Sequence, residues 1–229
     1  MLRKTFVTLL TVTALSLTSA TAARATTIAI SNSDSGWYDD TGFHDPTNAN
    51  YVAGQYVLDN DTFTQNDFFT FDLSSLAGQN VVSAKLQLFA YDISSDGNYR
   101  TFNVTTPVAS LTAGGSGLVA TYADLGSGPL YGQTGVTTGQ SNTLITFDLN
   151  AAAVAAINAG IGGMFAIGGS YIGNGATDDY VFGFSDFDLR NQLIVETDRA
   201  QGVPDGGVTV SLLGGALMAL GVLRRKLNR

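Results

Sequence analysis

The chain has 229 residues with 19 acidic and 11 basic side chains, a formal net charge of −8, 27 glycines, one histidine and no cysteine. That inventory excludes a disulfide framework, thiolate-ligated zinc, an iron–sulfur cluster, a cysteine nucleophile and a histidine-rich metal site. The acidity argues against a nucleic-acid partner, and 45% hydrophobic against 13% charged residues is too apolar for a disordered protein.

The N-terminus opens with Arg3 and Lys4, runs through an apolar stretch from Phe6 to Leu17 and reaches Ala23-Arg24-Ala25. Positive charge, a short apolar helix and small residues at −3 and −1 form the three-part build of a secretory signal peptide over residues 1–25. Signal peptidase is expected to cut after Ala25, reading Ala23 and Ala25.

Residues 26–198 are expected to fold as one all-β domain. Short runs of β-branched and aromatic residues, punctuated by Gly, Asn, Asp and Ser, predict strands at Thr27–Ser31, Tyr51–Leu58, Phe68–Leu73 and Val81–Tyr91. Further strands are expected at Tyr99–Pro107, Thr143–Leu149, Met164–Gly168, Tyr180–Phe184 and Gln192–Thr197. Val82, Ala84, Leu86, Leu88 and Ala90 alternate with Ser83, Lys85 and Gln87, which predicts a half-buried antiparallel strand. Many such strands point to an antiparallel β-sandwich of jelly-roll type.

The first connection is dense in oxygen-bearing side chains. Hard ligands at Asp34, Asp39 and Asp40 are a candidate calcium site, and Trp37 and Tyr38 beside them are a candidate platform for stacking a sugar. The alternative is a solvated, turn-rich connection, and His44 reads as a loop residue. Asn174–Asp179 and Asp186–Asp188 read as turns or strand ends.

The phrase Phe68-Phe69-Thr70-Phe71-Asp72-Leu73-Ser74-Ser75-Leu76, continuing through Gly78, Val81, Val82, Ala84 and Leu86 to Leu88, resembles the DNRLRE-type, carbohydrate-binding-module-like jelly rolls of secreted bacterial proteins. The resemblance implies a sandwich and a polysaccharide partner. Beyond it, the Gly-rich segment from Ala113 to Gly139 reads as a long loop with one short strand around Thr121 to Leu125. Asn150 to Gly160 predicts one short Ala-rich helix, capped by Asn150, with Val154, Ile157 and Ile161 on its apolar face.

Residues 199–207 form a linker ending in Val203-Pro204-Asp205-Gly206-Gly207. An apolar run follows from Val208 to Leu223, then the basic stop Arg224, Arg225, Lys226 and Arg229 in the tail 224–229. A helix over 208–223 is about 24 Å long, against a hydrocarbon core of about 30 Å, and the basic residues should stay cytoplasmic. The whole tail resembles the PEP-CTERM sorting signals of Gram-negative bacteria, in the variant written Val-Pro-Asp-Ser-Gly, with Gly206 standing where that variant has Ser.

The resemblance implies an exosortase as processing partner and an inner-membrane-anchored precursor delivered to the cell surface, outer envelope or extracellular space. The sequence therefore reads as an exported surface or matrix protein with a structural or binding role around exopolysaccharide or biofilm. A carbohydrate-binding module is the alternative, and a glycoside-active enzyme ranks third. Gly-x-Ser-x-Gly is absent and Glu196 is the single glutamate, so the expectation is no enzyme and no cofactor, with calcium the one candidate. Residues 26–203 carry 17 Asp and one Glu against Lys85, Arg100, Arg190 and Arg199, a formal charge of −14.

Overall fold

A computed structural model describes residues 25–58 and 61–199. Ala23, the sorting motif Val203–Gly207, the apolar run Val208–Leu223 and the basic stop lie outside the described residues. Among the described residues no helix is long and apolar enough to cross a membrane.

The described residues form twelve strands and three α-helices, in chain order β1 (Thr26–Ser31), β2 (Asp34–Asp39), β3 (Ala53–Leu58), β4 (Asp61–Asp72), β5 (Gln79–Ala90), β6 (Asp92–Ile93), β7 (Gly97–Asn103), α1 (Val108–Ala113), α2 (Val119–Leu125), β8 (Leu130–Val136), β9 (Thr143–Leu149), α3 (Ala151–Gly160), β10 (Met164–Ile172), β11 (Asp179–Gly183) and β12 (Gln192–Arg199). Every strand pairing is antiparallel. One sheet has the order β1-β12-β5-β9; the other runs β6-β11-β3-β4-β10-β7-β8, with β2 added to β4. Their facing sides share one core, in which Leu86, Leu88, Phe147, Leu193 and Val195 meet Phe69, Phe71, Tyr99 and Ile167. The expected all-β sandwich is therefore present.

The alternation in β5 holds from Ala84 to Ala90 and breaks at Val82, which is 47% exposed while Val81 is buried. The register explains the exchange. Glu196 pairs with Ser83 and Thr197 with Val81, so Val82 is the extra residue of a bulge and the facing pattern flips across it. At α3, the Asn150 side chain accepts hydrogen bonds from the amides of Ala152 and Ala153, while Ile157 is buried and Val154 and Ile161 pack against the core.

The stretch expected as a long loop is structured differently. It contains the end of α1, all of α2 and β8, and the strand expected at Thr121–Leu125 is helical. Val108 and Leu111 on α1, with Leu118, Tyr122 and Leu125 along α2, recur at helical spacing and cover Tyr38, Phe68 and Ala166 in a second small core outside the sheet. Gly168 lets this happen, since a Cβ there would lie 2.6 Å from the Leu125 carbonyl oxygen. Strand β4 is thus covered on both faces along its second half.

Candidate ligand cleft

The Asp-rich connection, a candidate calcium and sugar site or else a solvated, turn-rich stretch by sequence, is strand β2, paired with β4 from Asp34 opposite Thr70 to Asp39 opposite Gln65. Pairing imposes a period of two, and that separates the two aromatic candidates. Tyr38 points to the helix-covered face, is fully buried, and donates a hydrogen bond to the Leu111 carbonyl at 2.8 Å. Its ring is packing and is not offered to a ligand. Trp37 points to the other face, remains half-buried, and borders an open cleft of about 450 Å³.

The three aspartates are separated in the same way. Asp34 and Asp39 fall on opposite sides of the β2 backbone, and Asp40 lies in the turn beyond the strand. Asp39 is buried, and its Oδ1 accepts bonds from the Thr41 amide, the Thr41 hydroxyl and the Phe43 amide, closing a turn. Among the described residues no group of three or more His, Asp or Glu side chains could hold a metal ion. Asp45 and Asp72 cap turns similarly, and bonds from Thr47 and Ser74 hold these carboxyls below the usual carboxylate range. Asp124 accepts from the amides and hydroxyls of Thr105 and Thr106 and ties the entrance of α1 to α2.

His44, expected in a loop, is buried against Tyr38 and edge-on to Phe68, with ring centroids 4.8 and 5.3 Å away. Burial lowers its pKa and favours the neutral imidazole. Asp188 is also buried and forms a forked ion pair with Arg190, whose guanidinium lies 3.5 Å from the Phe89 ring centroid. Both are structural roles in turns.

The cleft itself is assembled from distant segments. β2 brings Trp37, β3 brings Tyr56 and Val57, β4 brings Gln65, and β11 with its exit brings Tyr180 and Phe184. Asp178 accepts from the Val57 amide and ties the β11 side to β3. The Tyr180 hydroxyl donates to Asp92, and burial raises its pKa, so it is neutral at physiological pH. Of these cleft-lining residues Trp37 was a candidate by sequence, and Tyr56, Gln65 and Phe184 were not. The available signal was three aromatics on strands that the turn pattern brackets, but strand order was needed to join them.

Residues 202–227 match the family model of the VPDSG-CTERM motif. The match supports a PEP-CTERM-type sorting domain. It likewise supports export to the cell surface and processing by an exosortase-type sorting system. It covers 26 of the 229 residues and does not extend to the sandwich. No curated protein matches the chain.

Proposed function

We propose that the exported domain is a non-catalytic component of the cell surface that holds or organises exopolysaccharide. The observation that carries this is the sorting-signal match over residues 202–227, joined to a sandwich whose aspartates cap turns and whose open cleft is lined by aromatic rings. Its frame is a jelly roll. Eight strands stand in two layers, β1-β12-β5-β9 facing β4-β10-β7-β8, and β2, β3, β6 and β11 extend the second layer.

In this reading the apolar run Val208–Leu223 holds the precursor in the inner membrane until the motif at Val203–Gly207 is cut. Deleting the exosortase gene tests the sorting step. The expected result is a larger, tail-bearing chain retained with the inner membrane. A chain of unchanged size and location in the deletion strain would overturn it.

A further inference from the structure

We infer that the cleft beside Trp37 is a binding site for an uncharged polysaccharide chain, with aromatic rings receiving sugar faces and amide groups receiving hydroxyls; this rests on the surface-component reading above. Its volume of about 450 Å³ lies within the range of small-ligand clefts, about 300–1,000 Å³.

The first support is how Phe184 is presented. Phe182 and Phe184 are two residues apart and would share a face in a regular strand. Here Phe182 is fully buried in the core while Phe184 is 80% exposed at the cleft. The backbone accomplishes this by placing both in the left-handed region, at φ of 65° and 56°, where the β11–β6 register also shifts. Bulky residues rarely adopt that conformation, and such strain collects where a side chain must be aimed. An apolar ring held in water by a strained backbone, edge-on to Tyr180 at 6.3 Å, gains from a partner with a flat apolar face.

The second support is polar and independent. Gln65 lines the cleft at 2% exposure, and its Oε1 has no hydrogen-bond partner among the described residues. A buried acceptor without a donor is costly, and a ligand hydroxyl reaching it would remove that cost. Asn48 and Asn50 also line the cleft, with their side-chain oxygens already accepting, from the Asn50 amide and the Ser185 hydroxyl. Their remaining amide nitrogens are donors. Donors and an acceptor beside aromatic faces suit a ligand whose hydroxyls both give and take hydrogen bonds.

Charge selects among such ligands. Among the described residues the cleft lining includes Asp178 and no Lys, Arg or His, within a domain of formal charge −14 over residues 26–203. Uronates, sulfated glycans and phosphates are repelled, so the class is neutral.

Trp37 is the single tryptophan of the chain, so its fluorescence reports on this cleft alone. The full-length protein in a zwitterionic detergent is titrated with oligosaccharides from the host's surface polysaccharide, split by anion exchange into neutral and acidic pools. The expected result is a saturable change with the neutral pool and at least tenfold weaker binding of the acidic pool. Phe184→Asn keeps a residue that tolerates the left-handed backbone while removing the ring; it and Gln65→Met should each weaken neutral-pool binding at least tenfold, with an unchanged melting temperature for Phe184→Asn. No saturable change, equal binding of both pools, or binding indifferent to Phe184→Asn overturns the inference. If sorting depends on exosortase but no sugar binds, the cleft assignment falls alone. If sugar binds but sorting is unaffected by the deletion, the surface reading falls and the cleft stands.

Discussion

Strand β4 is one continuous strand whose two halves have opposite fates. From Asp67 to Asp72 it pairs with β10 on one side and, as far as Thr70, with β2 on the other. Phe69 and Phe71 point into the main core and Phe68 lies under the helices, all without exposure. From Asp61 to Gln65 it pairs with β3, and none of these residues belongs to either core. Phe63 there is half-buried, stacked on Tyr56 at 5.3 Å, and Gln65 lines the cleft. An aromatic on a pleated strand is therefore core or partly exposed according to what other elements lay over it, and the strand's own pattern does not decide which.

The largest break in this contrast should come from the packed half. Phe69→Ala empties a core position and should cost about 3–5 kcal/mol, read as a lowered midpoint in urea unfolding.

The junction of the halves should respond to pH. Asp67 is fully buried, accepts a 2.7 Å bond from the Tyr99 hydroxyl, and its Oδ2 has no partner among the described residues. Burial pushes its carboxyl up to about 7, against about 3.9 for an unfolded aspartate. Between those values the folded state binds more proton than the unfolded one. Its contribution to stability is complete below about pH 4 and is lost as pH rises through 7. Asp67→Asn keeps an acceptor for Tyr99 and removes the titration. The expected outcome is loss of the stability slope between pH 4 and 7 and a gain of about 1–3 kcal/mol at pH 8, measured by unfolding at each pH. A slope unchanged in the variant would place the titration elsewhere.

The smallest effect should lie in the cleft half. Phe63→Ala should cost only about 1–2 kcal/mol, because the ring is half-buried and stacks on one neighbour. A loss as large as that of Phe69→Ala would mean that the two halves are one core after all.

Most strands were legible because each announces itself locally. Thr143–Leu149 begins and ends where the alternation predicts, and α3 is marked by its Asn150 cap and Ala run. What was illegible had misleading local chemistry. Strand β2 reads Asp-Ser-Gly-Trp-Tyr-Asp, a composition of turns, and it is a strand because β4 supplies its hydrogen bonds. Helices α1 and α2 sit in Gly-rich sequence, and their apolar spacing acquires meaning only over Phe68 and Ala166. The Val82 bulge depends on the partner strand's register, which no single strand encodes.

By itself the sequence determined the features that are read along a chain: the tail that matches a sorting motif over 202–227, and the period-two runs that make strands. Sorting machinery and local hydrogen bonding both act on contiguous segments, so linear order suffices for them. The tertiary structure alone decided that Trp37 borders a cleft while Tyr38 disappears beneath α1, and that Asp39 closes a turn. The physical reason is that a side chain's role depends on what covers its face. For β2 and β4, the covering residues come from stretches tens of positions away.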